Sequence, residues 1–355
     1  MFKKAFTINQ RKFGEGAPVV IVAEMSANHN QKYDMAVATI KAFKKAGADA
    51  IKLQTYTPDT MTLNLNKGSF EIPHSNQFAG PKNLFELYKV AYTPWDWQPK
   101  LKAIADHLGI LLWSTPFDPT AVDFLEKNVN PPAYKVASFE LCDHNLLKRV
   151  AKTGKPVILS NGGASVSDIA ESVEVLSKNG CSELVLLQCS SGYPSLPEQM
   201  HLQKMRLMKE VFDVPTGVSD HSEGIGVAVA AVALGACMVE KHITIDKKSE
   251  GPDHRFSMEP DEFALMVRSI RQAEKAVKGI SFKPDFGREQ ENKLRFSRSL
   301  YIIKDIKSGE KLTIRNLRSI RPGDGLPPKY FEQLLGIRVT KDVLRGTPAS
   351  WDLVK

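Results

Sequence analysis

The constraint that most narrows what this chain can fold into is a repeat of chemistry rather than of residues. A run of aliphatic or β-branched residues stops in polar side chains, a helical stretch follows, and the pattern begins again. The runs are Val19–Ala23, Ala50–Gln54, Ile110–Trp113, Ala133–Ala137, Pro156–Leu159, Glu183–Leu187, the short strand from Thr216 ending at Asp220-His221, and the strand that ends Val239-Glu240-Lys241-His242. Eight strand and helix units over about 280 residues fit a (β/α)8 TIM barrel, whose usual size is about 250 residues before insertions. An open doubly wound sheet would need fewer units and no closure.

In such a barrel the carboxyl ends of the strands meet on one face, so the polar residues that end each run converge there. Strand alternation sends Glu240 and His242 to one side and Lys241 to the other. The same rule puts Lys52 and Gln54 on one face, with Ile51 and Leu53 on the other, and aims a lysine inward. His221 and His242, at the ends of neighbouring strands, can meet at a point where a divalent metal or a substrate oxygen could sit. A nitrogen and oxygen ligand set suits Mn2+, Mg2+ or Zn2+ alike. Ser219-Asp220, read alone, is an N-cap. Lys52 and Lys135 have two readings: structural ion pairs with Glu24, Glu140 or Glu240, or the cationic floor of an anion site. Ser114, Thr115, Ser138 and Ser160, with the Asn161-Gly162-Gly163 turn, offer donors for a phosphate or carboxylate. Tyr193 is a rim aromatic, and His29, His74, His144, His201 and His254 have no partner in the sequence.

Residues 55–94 are too long for an ordinary strand-to-helix loop and read as an excursion over the barrel mouth, broken at Pro73-His74 and Gly80-Pro81. After the helix Asp261–Val277, the polar stretch around Pro284 and Gly287 reads as a linker, followed by short strands and turns. The expected division is a barrel domain 1–282, a linker 283–295 and a small β-rich domain 296–355. Residues 283–355 hold 16 Lys and Arg against 9 Asp and Glu, nearly all of the chain's net charge of +8. Those charges are interspersed with acids and carry no stacking aromatics in a basic run, which argues for attracting a small anion rather than nucleic acid. Four cysteines without CxxC spacing give neither a disulfide framework nor a thiolate zinc site. No stretch approaches a membrane span, and the expected location is cytoplasmic.

Seven motifs in order resemble one family: Ala23-Glu24-Met25-Ser26-Ala27-Asn28-His29-Asn30, Lys52-Leu53-Gln54, Ser114-Thr115-Pro116-Phe117, Tyr134-Lys135-Val136-Ala137-Ser138, Gly217-Val218-Ser219-Asp220-His221, Glu240-Lys241-His242 and Arg321-Pro322-Gly323. Over nearly its whole length the chain resembles the sialic acid synthases, and its C-terminal part looks like their antifreeze-like (SAF) domain. The Ser26–Asn30 stretch is most similar to the pseudaminic acid branch. The resemblance implies condensation of phosphoenolpyruvate with an amino-sugar aldehyde, here a 2,4-diacetamido-2,4,6-trideoxy hexose, to a nine-carbon 2-keto acid and phosphate. Neuraminic or legionaminic acid synthesis with another acceptor is the alternative. The resemblance also implies a divalent metal on His221 and His242, and Lys52, Thr115, Lys135, Ser138 and Ser219 around phosphoenolpyruvate. Gln54, Tyr193 and Arg321 would face the sugar, and Glu24 or Glu140 would handle a proton or orient water. A domain-swapped homodimer, with Arg321 reaching the partner's barrel, is expected. Two rivals come from other classes: a Schiff-base aldolase using Lys135 or Lys52, and a carbohydrate-binding protein without catalysis.

Overall fold

The computed structural model of the protein describes residues 2–72, 80–279 and 287–354, so Pro73 and His74 and the linker positions 283–286 lie outside the described residues. The chain divides into two compact units, Met1–Lys278 and Gly279–Lys355.

The first unit begins with an antiparallel hairpin, β1 (Ala5–Ile8) and β2 (Arg11–Gly14), and continues into a closed barrel. Its strands are β3 (Val20–Glu24), β4 (Ala50–Thr55), β5 (Leu111–Pro116), β6 (Tyr134–Val136), β7 (Val157–Ser160), β8 (Leu184–Cys189), β9 (Thr216–Asp220) and β10 (Met238–His242). They run parallel in chain order, and β10 closes the barrel on β3 with His242 opposite Glu24. All eight expected strands are present, most within one or two residues of the sequence reading.

Alternation divides each strand between two cores. Ile21, Ile51, Leu53, Leu112, Val218 and Val239 face outward and pack under the helices. The helix Tyr33–Ala46 shows why: Ala36, Thr39, Ile40 and Phe43 recur at helical spacing on its buried face, and Gly47, with φ 99°, ends it in the left-handed conformation. Val20, Val22, Ala50, Trp113, Ile158, Val185 and Met238 form the inner layer together with Phe6, Ile8 and Phe13 of the hairpin. Phe13 stacks on Phe6 at 5.7 Å and lies 6.5 Å from Trp113, so the hairpin plugs one end of the barrel and leaves the other for chemistry.

The hairpin was not expected from sequence. Its turn residues Asn9 and Gln10 both have positive φ, 43° and 68°, and a Gln where a glycine usually stands conceals the turn signal. Among its described residues the 55–94 excursion holds the helices Pro58–Met61 and Leu84–Ala91 and a 3-10 turn, Gly68–Phe70.

The second unit contains a helix, Arg288–Phe296, where the sequence reads a linker, because that segment has no apolar stripe to announce it. Beyond it β11 (Ser299–Ile302) pairs antiparallel with β12 (Leu317–Ile320). Leu300, Ile302, Ile306, Leu312, Leu317, Leu334, Val339, Val343 and Leu353 make its core.

Candidate active site

The strand ends enclose a cavity of about 400 Å3 lined by Glu24, Lys52, Gln54, Lys135, Ser138, Glu140, Tyr193, Ser219, His221, Glu240 and His242, among others. Ten of the twelve residues singled out from sequence line it. Thr115 lies buried next to them, its hydroxyl without a partner, and Arg321 belongs to the second unit, where it is exposed with its guanidinium 5.9 Å from the Phe296 ring.

Glu240 is the centre of the floor. Lys52 donates to its Oε1 at 2.7 Å, Ser219 donates to the same oxygen at 3.0 Å, and Lys135 Nζ is 3.7 Å away. Lys52 also lies 3.4 Å from Glu24, whose other oxygen accepts from Gln54 at 3.0 Å. The ion-pair reading of the lysines is therefore realised, with Glu240 and Glu24 as partners, but the charges do not balance. Burial alone would raise Glu240, yet the two lysines overcome it and hold the carboxyl at about 2. Burial pushes Glu24 up to about 7, against the pull of Lys52 and with help from the Glu240 charge. Glu140 is also pushed up by burial to about 7, with Lys135 opposing. Two lysines thus face one firmly ionised carboxylate, and burial lowers the pKa of one of them, Lys135.

Around them, Thr115 Oγ1, Ser160 Oγ, Ser191 Oγ, Glu140 Oε2 and Glu240 Oε2 are buried without hydrogen-bond partners. Native interiors rarely leave such groups unmet, and a cluster of them beside a cavity marks a ligand's place. Gly162 is obligatory there, since a Cβ would stand 2.3 Å from Ser191 Oγ and 2.9 Å from Ser138 Oγ. Its amide is already spent on Ser138 at 2.9 Å, and the following helix is capped by Ser165 and Asp168, so the cradle consists of hydroxyls and ammonium groups rather than a helix end.

His221 and His242 stand edge to face with ring centres 5.1 Å apart. Nδ1–H of His221 donates to the Ser190 carbonyl at 2.7 Å, and although burial opposes it, Cys189 and that carbonyl raise the pKa of the ring, so Nε2 is left for a ligand once it gives up its proton. His242 has a buried Nδ1 without a partner, and burial followed by the His221 charge drives its pKa well below the ordinary value, so the ring is neutral. An orphaned nitrogen on a neutral imidazole, beside a second imidazole fixed by a carbonyl, fits a divalent cation. Among the described residues no group of three His, Cys, Asp or Glu side chains could hold a metal. The two imidazoles would share such an ion with water or substrate, as an open catalytic site requires.

Several residues were not found from sequence. Asp253, half-buried in the loop after β10, accepts from Ser26 and borders the cavity. Cys189 Sγ lies 3.8 Å from His221 Nδ1. Asp253 has no periodicity to betray it, and Cys189 has no cysteine spacing to set it apart from a buried free thiol. Ser219 and Asp220 cap no helix, contrary to their isolated reading: Asp220 turns outward to Lys241 at 2.8 Å in a buried pair, as alternation demands. Tyr193 stacks 4.3 Å from His221, a wall rather than a rim. His29 bonds Thr93 and His254 bonds Thr244 and Asn30, so both are structural.

Comparison with known proteins settles the family. The sequence profile of the NeuB family matches residues 39–281, and that of the SAF domain matches 297–355. The chain belongs to the NeuB family. A pseudaminic acid synthase of Campylobacter jejuni is 44% identical over 94% of this chain and 96% of its own length. An N,N'-diacetyllegionaminic acid synthase of the same species is 34% identical over 91% of this chain and 96% of its own. Among solved structures, an N-acetylneuraminic acid synthetase of Leptospira borgpetersenii in complex with citrate aligns with a TM-score of 0.71 and 31% identity, over 81% of this chain and 94% of that one. The barrel with its SAF domain is thus the architecture that the sequence reading expected of this NeuB family member.

The raised Glu24 has a consequence for stability. Its ordinary value is 4.5 and its folded value about 7, so between those limits the folded state holds a proton that the unfolded chain has released. Stability from this group is complete below about 4.5 and is lost as pH rises through 7. Glu24→Gln removes the loss. In thermal unfolding without substrate, the Tm of Glu24→Gln relative to the unsubstituted protein should climb by several degrees from pH 4.5 to 7 and level off above. A difference constant across that range would contradict the assignment.

Proposed function

We propose that the barrel mouth joins phosphoenolpyruvate to an open-chain 2,4-diacetamido-2,4,6-trideoxy hexose, giving the nine-carbon 2-keto acid pseudaminic acid and releasing phosphate. The observation that carries this reading is one cavity that sets two lysines and unpartnered hydroxyls beside two imidazoles, one of them with an orphaned nitrogen. The 44% identity to a pseudaminic acid synthase, against 34% to a legionaminic acid synthase, supports this acceptor over the alternatives. The Schiff-base reading gives way at Lys52, which Glu24 and Glu240 hold charged against its burial; at Lys135 burial lowers the pKa, but the ammonium lies 3.7 Å from Glu240, which opposes that shift.

In this reaction carbon 3 of the enol phosphate attacks the aldehyde carbon, whose oxygen gains negative charge and then a proton. A divalent cation on His221 and His242 would supply Lewis acidity at that oxygen. Lys52 and Lys135 hold the phosphoenolpyruvate anion, with Thr115, Ser138, Ser160 and Ser219 offering hydroxyls to its carboxylate and phosphate oxygens. Carbon 2, left electron-poor, takes water. Glu24, with a pKa near neutrality, orients that water and receives its proton, and Glu140 stands ready to return one to the departing phosphate. The tetrahedral hemiketal phosphate then collapses, with cleavage of the bond between carbon 2 and oxygen. Gln54 and Tyr193 face the sugar. Among the described residues no helix is long and apolar enough to cross a membrane, and the reading includes a cytoplasmic enzyme that uses neither a membrane nor nucleic acid as partner.

The decisive assay is phosphate release from phosphoenolpyruvate against a panel of amino-sugars. Release should require one acceptor, stop on chelation, return with Mn2+ or a similar ion, and fall by orders of magnitude in His242→Ala. Release with no acceptor at all, or full turnover by demetallated protein, would overturn the reading.

The reading also includes a homodimer in which Arg321 completes the partner's site, supported by its exposure and by the positive charge of the C-terminal segment. Mixing inactive His242→Ala with inactive Arg321→Ala under subunit exchange pairs chains at random. About half the dimers are then mixed, each with one intact site, and roughly a quarter of the original activity should return. Activity that stays at the level of the parents would place Arg321 in its own chain's site.

A further inference from the structure

One side of the cavity takes no part in the chemistry above. Tyr56 follows β4, Met61 ends the helix Pro58–Met61, Leu84, Leu87 and Tyr88 come from the helix Leu84–Ala91, and Phe117 follows β5; all six line the cavity. The Tyr56 ring meets Tyr88 at 5.6 Å and Phe117 at 5.1 Å, both edge-on, so these side chains form one packed surface rather than scattered apolar residues. Apart from the two tyrosine hydroxyls and the methionine sulfur, that surface is hydrocarbon.

Its position follows from the strand order. Around the closed barrel, β5 and β6 lie across from β9 and β10. Phe117, after β5, therefore faces His221 across the mouth, and the residues after β4 stand a quarter of the way round the barrel from His242. An open-chain hexose with its aldehyde at the imidazoles extends away from them, and carbons 4 to 6 are the atoms that reach the wall.

We propose that this wall is the specificity surface for the far end of the acceptor, taking the methyl at carbon 6 and the acyl methyl at carbon 4 and disfavouring hydroxyls there. The inference rests on the proposed condensation and adds which residues choose the sugar. A methyl group against Met61 and Leu87 leaves water for dispersion contacts, whereas a hydroxyl in that place gives up its water and finds no partner. Apolar pockets discriminate modestly on such grounds, by roughly 10- to 100-fold. The wall lies in the long excursion between β4 and β5, an insertion that the barrel itself does not need. Acceptor choice can therefore vary there while the floor is kept.

The test uses the full-length protein with metal supplied, and two acceptors of one configuration that differ only in a hydroxyl at carbon 6. The readout is the ratio of their kcat/KM values, which a general loss of activity does not move. The unsubstituted protein should favour the 6-deoxy sugar by roughly 10- to 100-fold. Met61→Gln and Leu87→Asn, on separate helices, should each cut the ratio at least about fivefold, mainly through a higher KM for the 6-deoxy sugar. A ratio near one in the unsubstituted protein, or both variants slowed on both sugars with the ratio unchanged, would overturn the wall's role while leaving the condensation intact. No phosphate release with either sugar or any other acceptor would overturn the condensation itself, and the wall's role with it.

Discussion

Everything at the mouth of this barrel depends on Glu240 staying ionised between two buried lysines. Taking an ion out of water costs several kcal/mol, and the cost is met only when charges and hydrogen bonds are returned at close range. Lys52 at 2.7 Å and Ser219 at 3.0 Å return them from β4 and β9, and Lys135 adds its charge from β6. Those strands lie apart in sequence, so the triad can form only when the barrel is closed in its correct register. A slip of one residue on β10 would turn Glu240 outward and bring Lys241 in. The outward pair of Lys241 with Asp220, 2.8 Å apart and fully buried, opposes that slip from the other face. One alternation rule thus builds a charge cluster on one face of β10 and a charge pair on the other.

The triad also explains why the floor is an anion site and not only a structural lock. With Glu240 held at about 2 and Glu24 and Glu140 pushed up to about 7, the two lysines face one carboxylate that is fully ionised at neutral pH and two that are only partly so. The unpartnered hydroxyls of Thr115 and Ser160 lie among these groups. A network selected for stability alone would have balanced its charges and bonded its hydroxyls. On the proposed reading, an incoming carboxylate and phosphate would partner the unmet hydroxyls and the lysines.

Most of this could be read before any coordinates, because strand alternation is a strong rule where both faces of a strand are buried. It correctly sent Lys52, Gln54, Ser219, Glu240 and His242 inward and Lys241 outward. The rule fails where periodicity ends. Asp253 sits in an irregular loop after β10, and Cys189 has no cysteine spacing to mark it as more than a buried thiol. The β1–β2 hairpin turns on Asn9 and Gln10 without the expected glycine, and the Arg288–Phe296 helix lacks an apolar stripe. The specificity wall was visible only as an overlong connection; which of its residues face the cavity is a tertiary fact.

The account's central claim is that the two lysines bind phosphoenolpyruvate as an anion before any sugar arrives. A ligand that binds only the folded state raises its Tm in proportion to the logarithm of its concentration above Kd. Thermal unfolding with phosphoenolpyruvate alone, compared between the unsubstituted protein and Lys135→Met, measures that binding directly. The account predicts a concentration-dependent rise in the unsubstituted protein and little or none in Lys135→Met. The same rise in both, or none in either, would contradict it.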